Sequence, residues 1–367
     1  MSVIAWIFFI FTVLGAIDRL LGNRFGLGAE LERGFHMFTA TALSMIGMIV
    51  LAPAMAVWLS PAFEVFYSAF GIDPSIIPAS LFANDMGGAA LATQVAKDEA
   101  IGKFNAFVVS SIMGCVVSFS IPLASGMVDP SKHKNMFLGF ICGIVTIPLG
   151  CAIGGLVCGL GILQILFDLL PVIIISALFA LGLAFAPNIS LKVLQWFSKL
   201  LKVVILIGFV LGVYSYLSGM PVSESFDTFE EGAAICIRIA VTLSGAFPFL
   251  FVLGKILKRP LGFLGKKLGI NDISVLALLS TTVTNAIAFS SMKDMDDRGV
   301  VLNSAFATTA AFAFGSHLAF NTAMAPDYIL PTIVAKLSGG AAALLLAMLV
   351  TSKRKCRQGD AGDAVAF

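Results

Sequence analysis

An amide, a carboxylate and two glycines stand together at Asn84-Asp85-Met86-Gly87-Gly88, inside an otherwise apolar segment of roughly membrane-spanning length. A carboxylate in that setting is a counter-ion for a cation, and the neighbouring amide supplies both a donor and an acceptor. Backbone groups freed at such a break cannot face hydrocarbon, so the segment has to be buried in protein or line a wet cavity. The two glycines permit a turn that few other residues tolerate. A plainer role stays open for Asp85, capping of the half-helix that follows.

Three further groups could act with this one. Ser280-Thr281-Thr282-Val283-Thr284-Asn285 offers hydroxyls and an amide but no carboxylate, with Thr282 and Asn285 as the candidates. Hydroxyls in membrane helices often bond their own backbone, so each threonine has a structural reading as well. His317 and Asn321, four residues apart, share one helical face, although a membrane histidine is often only a hydrogen-bonded packing element. Ser120 precedes Pro122, whose ring releases a carbonyl at similar depth. Asp168, Arg238 and Lys336 also fall within apolar segments, and the expectation is a compensating ion-pair set.

Composition determines what kind of chain must position these residues. With 59% hydrophobic and 12% charged residues over 367 positions, it is too apolar for a soluble globular domain. Its apolar runs are continuous, which excludes the alternating pattern of a barrel. The reading is an all-α polytopic membrane protein. The six cysteines show no ligand spacing and read as small packing residues. No nucleophile elbow, zincin motif, P-loop or Rossmann glycine pattern occurs. Nothing points to an enzyme, a metal, a cofactor or a nucleic-acid partner.

Spans are expected at about 3–18, 35–58, 101–125, 135–158, 163–186, 192–217, 232–256, 299–324 and 328–351. The first run carries no Lys or Arg before it and reads as a retained span. Segments 75–96 and 273–292 are either full spans, giving eleven, or re-entrant hairpins of two half-helices. If both re-enter, all but four of the 23 Lys and Arg residues lie on the cytoplasmic side, the four being Lys97, Lys103, Arg238 and Lys336. Full crossing would place the basic loop 258–267 outside, against the positive-inside bias. The expected architecture is therefore about nine transmembrane helices plus two re-entrant hairpins, N-terminus out and C-terminus in.

A shift of 198 residues carries Gly71-Ile72-Asp73 onto Gly269-Ile270-Asn271, Asp98 onto Asp296, Asn105 onto Asn303 and Ser118 onto Ser316. The order of features repeats too: acidic lead-in, span, proline-containing break at Pro61 or Pro260, short interfacial helix, hairpin, charged turn, span. With the topology above, the two units run in opposite directions across the bilayer, an inverted repeat whose site lies where the broken segments meet. The organisation read from this is 1–28, an N-terminal span and cytoplasmic loop; 29–160, a first membrane repeat with hairpin 75–96; 161–227, two linking spans; 228–351, a second repeat with hairpin 273–292; and 352–367, a disordered cytoplasmic tail.

The segment Pro78-Ala79-Ser80-Leu81-Phe82-Ala83-Asn84-Asp85-Met86-Gly87-Gly88, with the length and all-membrane layout, resembles the bacterial ethanolamine-utilisation permease family. The resemblance implies a multi-pass protein of the bacterial cytoplasmic membrane that takes up ethanolamine for breakdown by a cobalamin-dependent lyase. Ethanolamine is mostly a monocation near neutral pH, with one ammonium and one hydroxyl. Asp85 and hairpin carbonyls would then hold the ammonium, with Phe82 or Phe289 giving a cation–π face. Asn84, Asn285 or Asn321 would take the hydroxyl. The path is a uniporter or channel-like facilitator, or alternatively a proton- or sodium-coupled carrier of a small polar solute using His317 and Asp85 or hairpin carbonyls. A membrane anchor that recruits cytosolic enzymes is a third reading, and homo-oligomerisation is left open.

Overall fold

A computed structural model describes residues 3–362 of the chain. Among them every regular element is helical. In order these are α1 (Val3–Leu20), α2 (Leu27–Phe70), α3 (Ile76–Leu81), α4 (Gly88–Val95), α5 (Glu99–Phe104), α6 (Ile121–Met127), α7 (His133–Val157), α8 (Ile162–Asp168), α9 (Leu170–Phe185), α10 (Pro187–Ser218), α11 (Phe229–Leu268), α12 (Asp272–Val283), α13 (Asn285–Ser290), α14 (Asp297–Thr309), α15 (Ser316–Met324) and α16 (Ile329–Gly362). Among the described residues six helices are long and apolar enough to cross a bilayer, or seven if the pair α8 and α9, bent by 47°, is one span. The protein is a multi-pass membrane protein.

Several expectations are corrected here. The expected span 3–18 is the helix α1, whereas 299–324 is divided at 310–315 into α14 and α15. The breaks expected at Pro61 and Pro260 are absent, because α2 and α11 run on through both prolines. A proline removes one helix hydrogen bond and can bend a helix without ending it. α2 ends instead at Gly71, whose φ of 65° lets its N–H close on the Tyr67 carbonyl. Beyond Thr351 the backbone stays helical to Gly362, and the end of the expected disordered tail lies outside the described residues.

Between α5 and α6 the chain adopts two π-helical stretches, Asn105–Gly114 and Val116–Ser120, so that Glu99–Met127 is one irregular span. Its two ends fix the two broken segments. At the α5 end, Asp73 accepts from the amides of Lys97 and Asp98, both at 2.9 Å, and the Lys97 ammonium meets Glu64. At the α6 end, Lys132 in the following turn donates to the Met295 carbonyl at 3.2 Å and Asp297 at 2.8 Å. The bases of the two hairpins, α3 with α4 and α12 with α13, thus sit at opposite ends of the same span.

Residues related by the 198-residue shift do matching work. Asp73 accepts from the Ser75 amide, and Asn271 from the Ser274 amide. Asp98 caps α5 through Ile101, and Asp296 caps α14 through Gly299. Buried Asn105 donates to Ser75 Oγ at 2.9 Å, and buried Asn303 donates to the Ser274 carbonyl at 2.9 Å. The first asparagine ties the span Glu99–Met127 to the residue that precedes α3, and the second ties α14 to α12.

The first hairpin sits on Gly114, where an added Cβ would overlap the carbonyls of Phe82 and Ala79. Gly114→Ala is expected to cost about 1–3 kcal/mol of stability, since neither backbone can yield. A lowered thermal midpoint of the purified protein, with the Gly126→Ala control unchanged in open space, checks this.

Candidate functional site

Asn84 and Asp85 lie on a single 3-10 turn, Asn84–Met86, that joins α3 to α4. Amides of Met86 and Gly88 both close on the Ala83 carbonyl, and Gly87 takes the left-handed conformation at φ 95°. The N-cap position of α4 is Gly87 and not Asp85, and the Gly88 and Leu91 amides close on the carbonyls of Ala83 and Gly87. Asp85 Oδ1 stands 3.6 Å from His317 Nε2.

Segment 310–315 completes the centre. Phe312 and Phe314 donate their amides to the carbonyls of Thr281 and Thr282, at 3.1 and 2.8 Å. The broken crossing helix and the tip of the second hairpin thereby satisfy one another's freed backbone groups, which lipid could not do. Phe312 holds φ 59°, a strained conformation for a bulky residue, and its ring packs on His317 with centroids 5.0 Å apart.

A chain of hydrogen bonds fixes which way the amides point. The Phe107 carbonyl can only accept, so Thr332 Oγ1 donates to it at 3.1 Å. Thr332 therefore accepts from Asn321 Nδ2 at 2.8 Å, and Asn321 Oδ1 accepts from Asn84 Nδ2 at 3.2 Å. Asn84 Oδ1, buried, is left without a hydrogen-bond partner among the described residues. In the other hairpin, Asn285 Nδ2 donates to Ser120 Oγ at 2.9 Å, and Asn285 Oδ1 is left in the same state. Asn84 and Asn285 thus each present an unused buried acceptor among the described residues.

Two cavities flank Asp85. The larger, about 360 Å³, is lined by Asn84, Asp85, Thr93 and an aromatic wall of Phe107, Phe320 and Tyr328, and reaches exposed Lys103 and Asp327 at the end where the first hairpin has its base. The smaller, about 190 Å³, is lined by Asp85, Cys115, Thr284, Phe312, Ser316 and His317. Among these linings Asp85 is the shared residue.

Of the eight candidates, Asn84, Asp85, His317 and Asn321 lie together here, with Asn84 bonded to Asn321 and Asp85 beside His317, whereas Asn285 and Ser120 pair with each other and line neither cavity. Thr282 is placed otherwise, its Oγ1 donating to the Leu279 carbonyl at 2.7 Å. Phe82 stacks on Phe197 at 5.9 Å and lines neither cavity, while Phe289 is buried against Phe140. The aromatic residues that do line the larger cavity are Phe107, Phe320 and Tyr328, which single residues in apolar helices do not announce. Asp168, Arg238 and Lys336 do not form an ion-pair set: Asp168 accepts from Asn105 at 3.3 Å, Arg238 is exposed, and Lys336 is held by two carbonyls. Spacing along the sequence could not show that backbone would supply the partners.

Comparison with known proteins adds an independent line. Residues 1–350 match the family described as "Ethanolamine utilisation protein, EutH". The chain is 40% identical over 352 residues to a Listeria monocytogenes protein named "Probable ethanolamine permease EutH", covering 96% of this chain and 94% of that one. A Salmonella typhimurium protein of the same name is 36% identical, with 97% of each chain covered. A Bacillus subtilis protein named "Uncharacterized protein YxeR" is also 36% identical, over 95% of this chain and 94% of that relative. No solved structure matches.

Proposed function

The chain belongs to the ethanolamine utilisation protein EutH family, and from that premise we propose that it takes up ethanolamine across the bacterial cytoplasmic membrane through the two cavities that meet at Asp85. The observation that carries this reading is the position of Asp85, a carboxylate that lines both cavities beside the unused acceptor of Asn84. An ammonium needs an anion and acceptors, which these two residues supply. The aromatic wall of Phe107, Phe320 and Tyr328 is suited to a small cation in transit. The hydroxyl is taken by Thr284 or Ser316 in the smaller cavity, since the Asn321 amide is engaged by Asn84 and Thr332.

The hairpins enter from opposite faces, the first from outside, as halves of an inverted repeat. Support comes from their attachment to opposite ends of Glu99–Met127 and from the shift-related anchors Asp73 and Asn271, Asn105 and Asn303. The larger cavity then faces outward. In a background with native cysteines replaced by alanine, Lys97→Cys is expected to react with an impermeant maleimide on intact cells, and Lys132→Cys only after permeabilisation. The reverse pattern would invert the topology.

A cation moving inward gains roughly 2.3 kcal/mol per 100 mV, enough for about 50-fold accumulation with no coupling ion. The path is therefore read as a facilitator. One geometric feature favours a proton-coupled alternative, the 3.6 Å approach of His317 to Asp85. Proteoliposomes containing only this protein separate the two. Labelled ethanolamine is expected to accumulate under an imposed inside-negative potential and not under a pH gradient alone. Uptake no greater than in empty vesicles would defeat the transport reading, and accumulation on the pH gradient would install the coupled one.

A further inference from the structure

Lys336, on α16, is fully buried at the heart of the membrane-spanning bundle, and it is not assigned a part in the path above. Its Nζ donates to the Ser111 carbonyl at 2.6 Å and the Ala311 carbonyl at 2.7 Å. Both acceptors come from irregular stretches of the two shift-related crossing helices. Ser111 lies in the π-helical stretch Asn105–Gly114, and Ala311 lies in the break at 310–315. Within that break the amides of 312, 313, 314 and 315 bond to Thr281, Ala310, Thr282 and Phe312, and the Ala311 carbonyl is taken by the lysine.

Carbonyls released by unwound membrane helices are the usual ligands for a small monovalent cation. A buried ammonium otherwise needs an anionic partner, and no Asp or Glu lies within ion-pair distance of Lys336 among the described residues. The Lys336 charge is nevertheless within electrostatic reach of both Asp85 and His317. We propose that the Lys336 ammonium is a tethered cation, filling a carbonyl-lined site between the two crossing helices where a free monovalent cation would otherwise bind, so that the protein works without dissolved sodium. The site itself stands on its geometry, and only the sodium statement rests on the transport reading. In this arrangement Lys336 is a positioning residue. It holds the π-helical stretch against the break and offsets the Asp85 charge while substrate is away.

Two substitutions distinguish a cation site from a packing position. Lys336→Ala leaves space and the carbonyls, whereas Lys336→Met fills the space without charge. The probe is methylammonium chloride, against choline chloride, whose cation is too large and has no N–H. Methylammonium is expected to raise the thermal midpoint of Lys336→Ala by several degrees more than that of Lys336→Met, with choline moving neither. Equal shifts in the two variants would overturn the cation site. In proteoliposomes, wild-type uptake of labelled ethanolamine is expected to be the same within twofold in sodium and choline media. Lys336→Met is expected to lose at least tenfold, and methylammonium to restore Lys336→Ala in part. A sodium requirement in the wild type, or full activity in Lys336→Met, would overturn the proposal even if Lys336→Ala cannot be purified. If no form transports ethanolamine, the transport reading fails while the thermal comparison still judges the site.

Discussion

Asp85→Asn is expected to lower ethanolamine uptake about 100-fold while leaving the amount of protein in the membrane unchanged. The size follows from losing one charge-assisted contact to the ammonium, worth up to ~3 kcal/mol, at about 1.4 kcal/mol per factor of ten. Lys336 strengthens the expectation. With Asp85 neutral, the buried ammonium remains and the centre becomes net cationic towards a cationic substrate. Stability should be little affected, because the N-cap of α4 is Gly87 and the His317 ring stands beyond hydrogen-bond distance of Asp85, at 3.6 Å. Initial uptake rates in cells, normalised to membrane protein by immunoblot, make the measurement. Wild-type uptake by this variant would remove the carboxylate from the mechanism. Asp85→Glu keeps the charge but lengthens the side chain within the constricted junction, and should retain partial uptake.

The centre of the site was legible because polar residues in an apolar chain are few and their positions are informative. Asn84-Asp85 with Gly87-Gly88 signalled an interruption, and the interruption is a 3-10 turn between short helices. Asn105 and Asn303, matched by the 198-residue shift, serve as side-chain ties to Ser75 and to the Ser274 carbonyl. The break at 310–315 was not legible. Ala310, Ala311, Phe312, Ala313 and Phe314 are as apolar as any helix interior, and only Gly315 hints at a stop. Tertiary pairing with Thr281 and Thr282 holds that backbone open, together with the contact of Gly315 on the Val283 carbonyl. The same reason hid the role of Lys336. Asp168 is the kind of partner a buried lysine calls for, whereas the actual partners are carbonyls that exist as free acceptors only because two helices depart from regular geometry. Aromatic lining was misplaced for a related reason. Phe82 adjoins the turn in sequence, but its ring leaves toward Phe197, and the cavity wall is drawn from Phe107, Phe320 and Tyr328 on three other segments.

Asn321→Leu should be the most damaging of the uncharged substitutions, through orientation as well as loss of contact. Leucine is close in size, so packing is largely kept, but Asn84 Nδ2 loses its acceptor and Thr332 Oγ1 loses its donor. Leaving buried polar groups unmatched costs about 1–3 kcal/mol, visible as a lowered thermal midpoint. A second effect falls on the site. Nothing then forces the Asn84 amide to keep its NH₂ toward α15, and rotation would turn that NH₂ toward the cavity where an ammonium must approach. A donor facing a donor should raise KM for ethanolamine by about tenfold beyond the stability effect, for ~1.4 kcal/mol of lost or reversed interaction. Asn84→Ala alone removes the acceptor and should raise KM by a similar factor, with a smaller stability cost because only Asn321 Oδ1 is left unmatched. Combining the two substitutions decides the matter, because once Asn84 is alanine the orientation imposed by Asn321 has nothing to act on. The double variant should therefore have nearly the KM of Asn84→Ala, a coupling of at least ~1 kcal/mol between residues in contact. Additive effects on KM would mean that Asn321 meets the substrate directly, and the relay from Phe107 through Thr332 to Asn84 would then be packing alone.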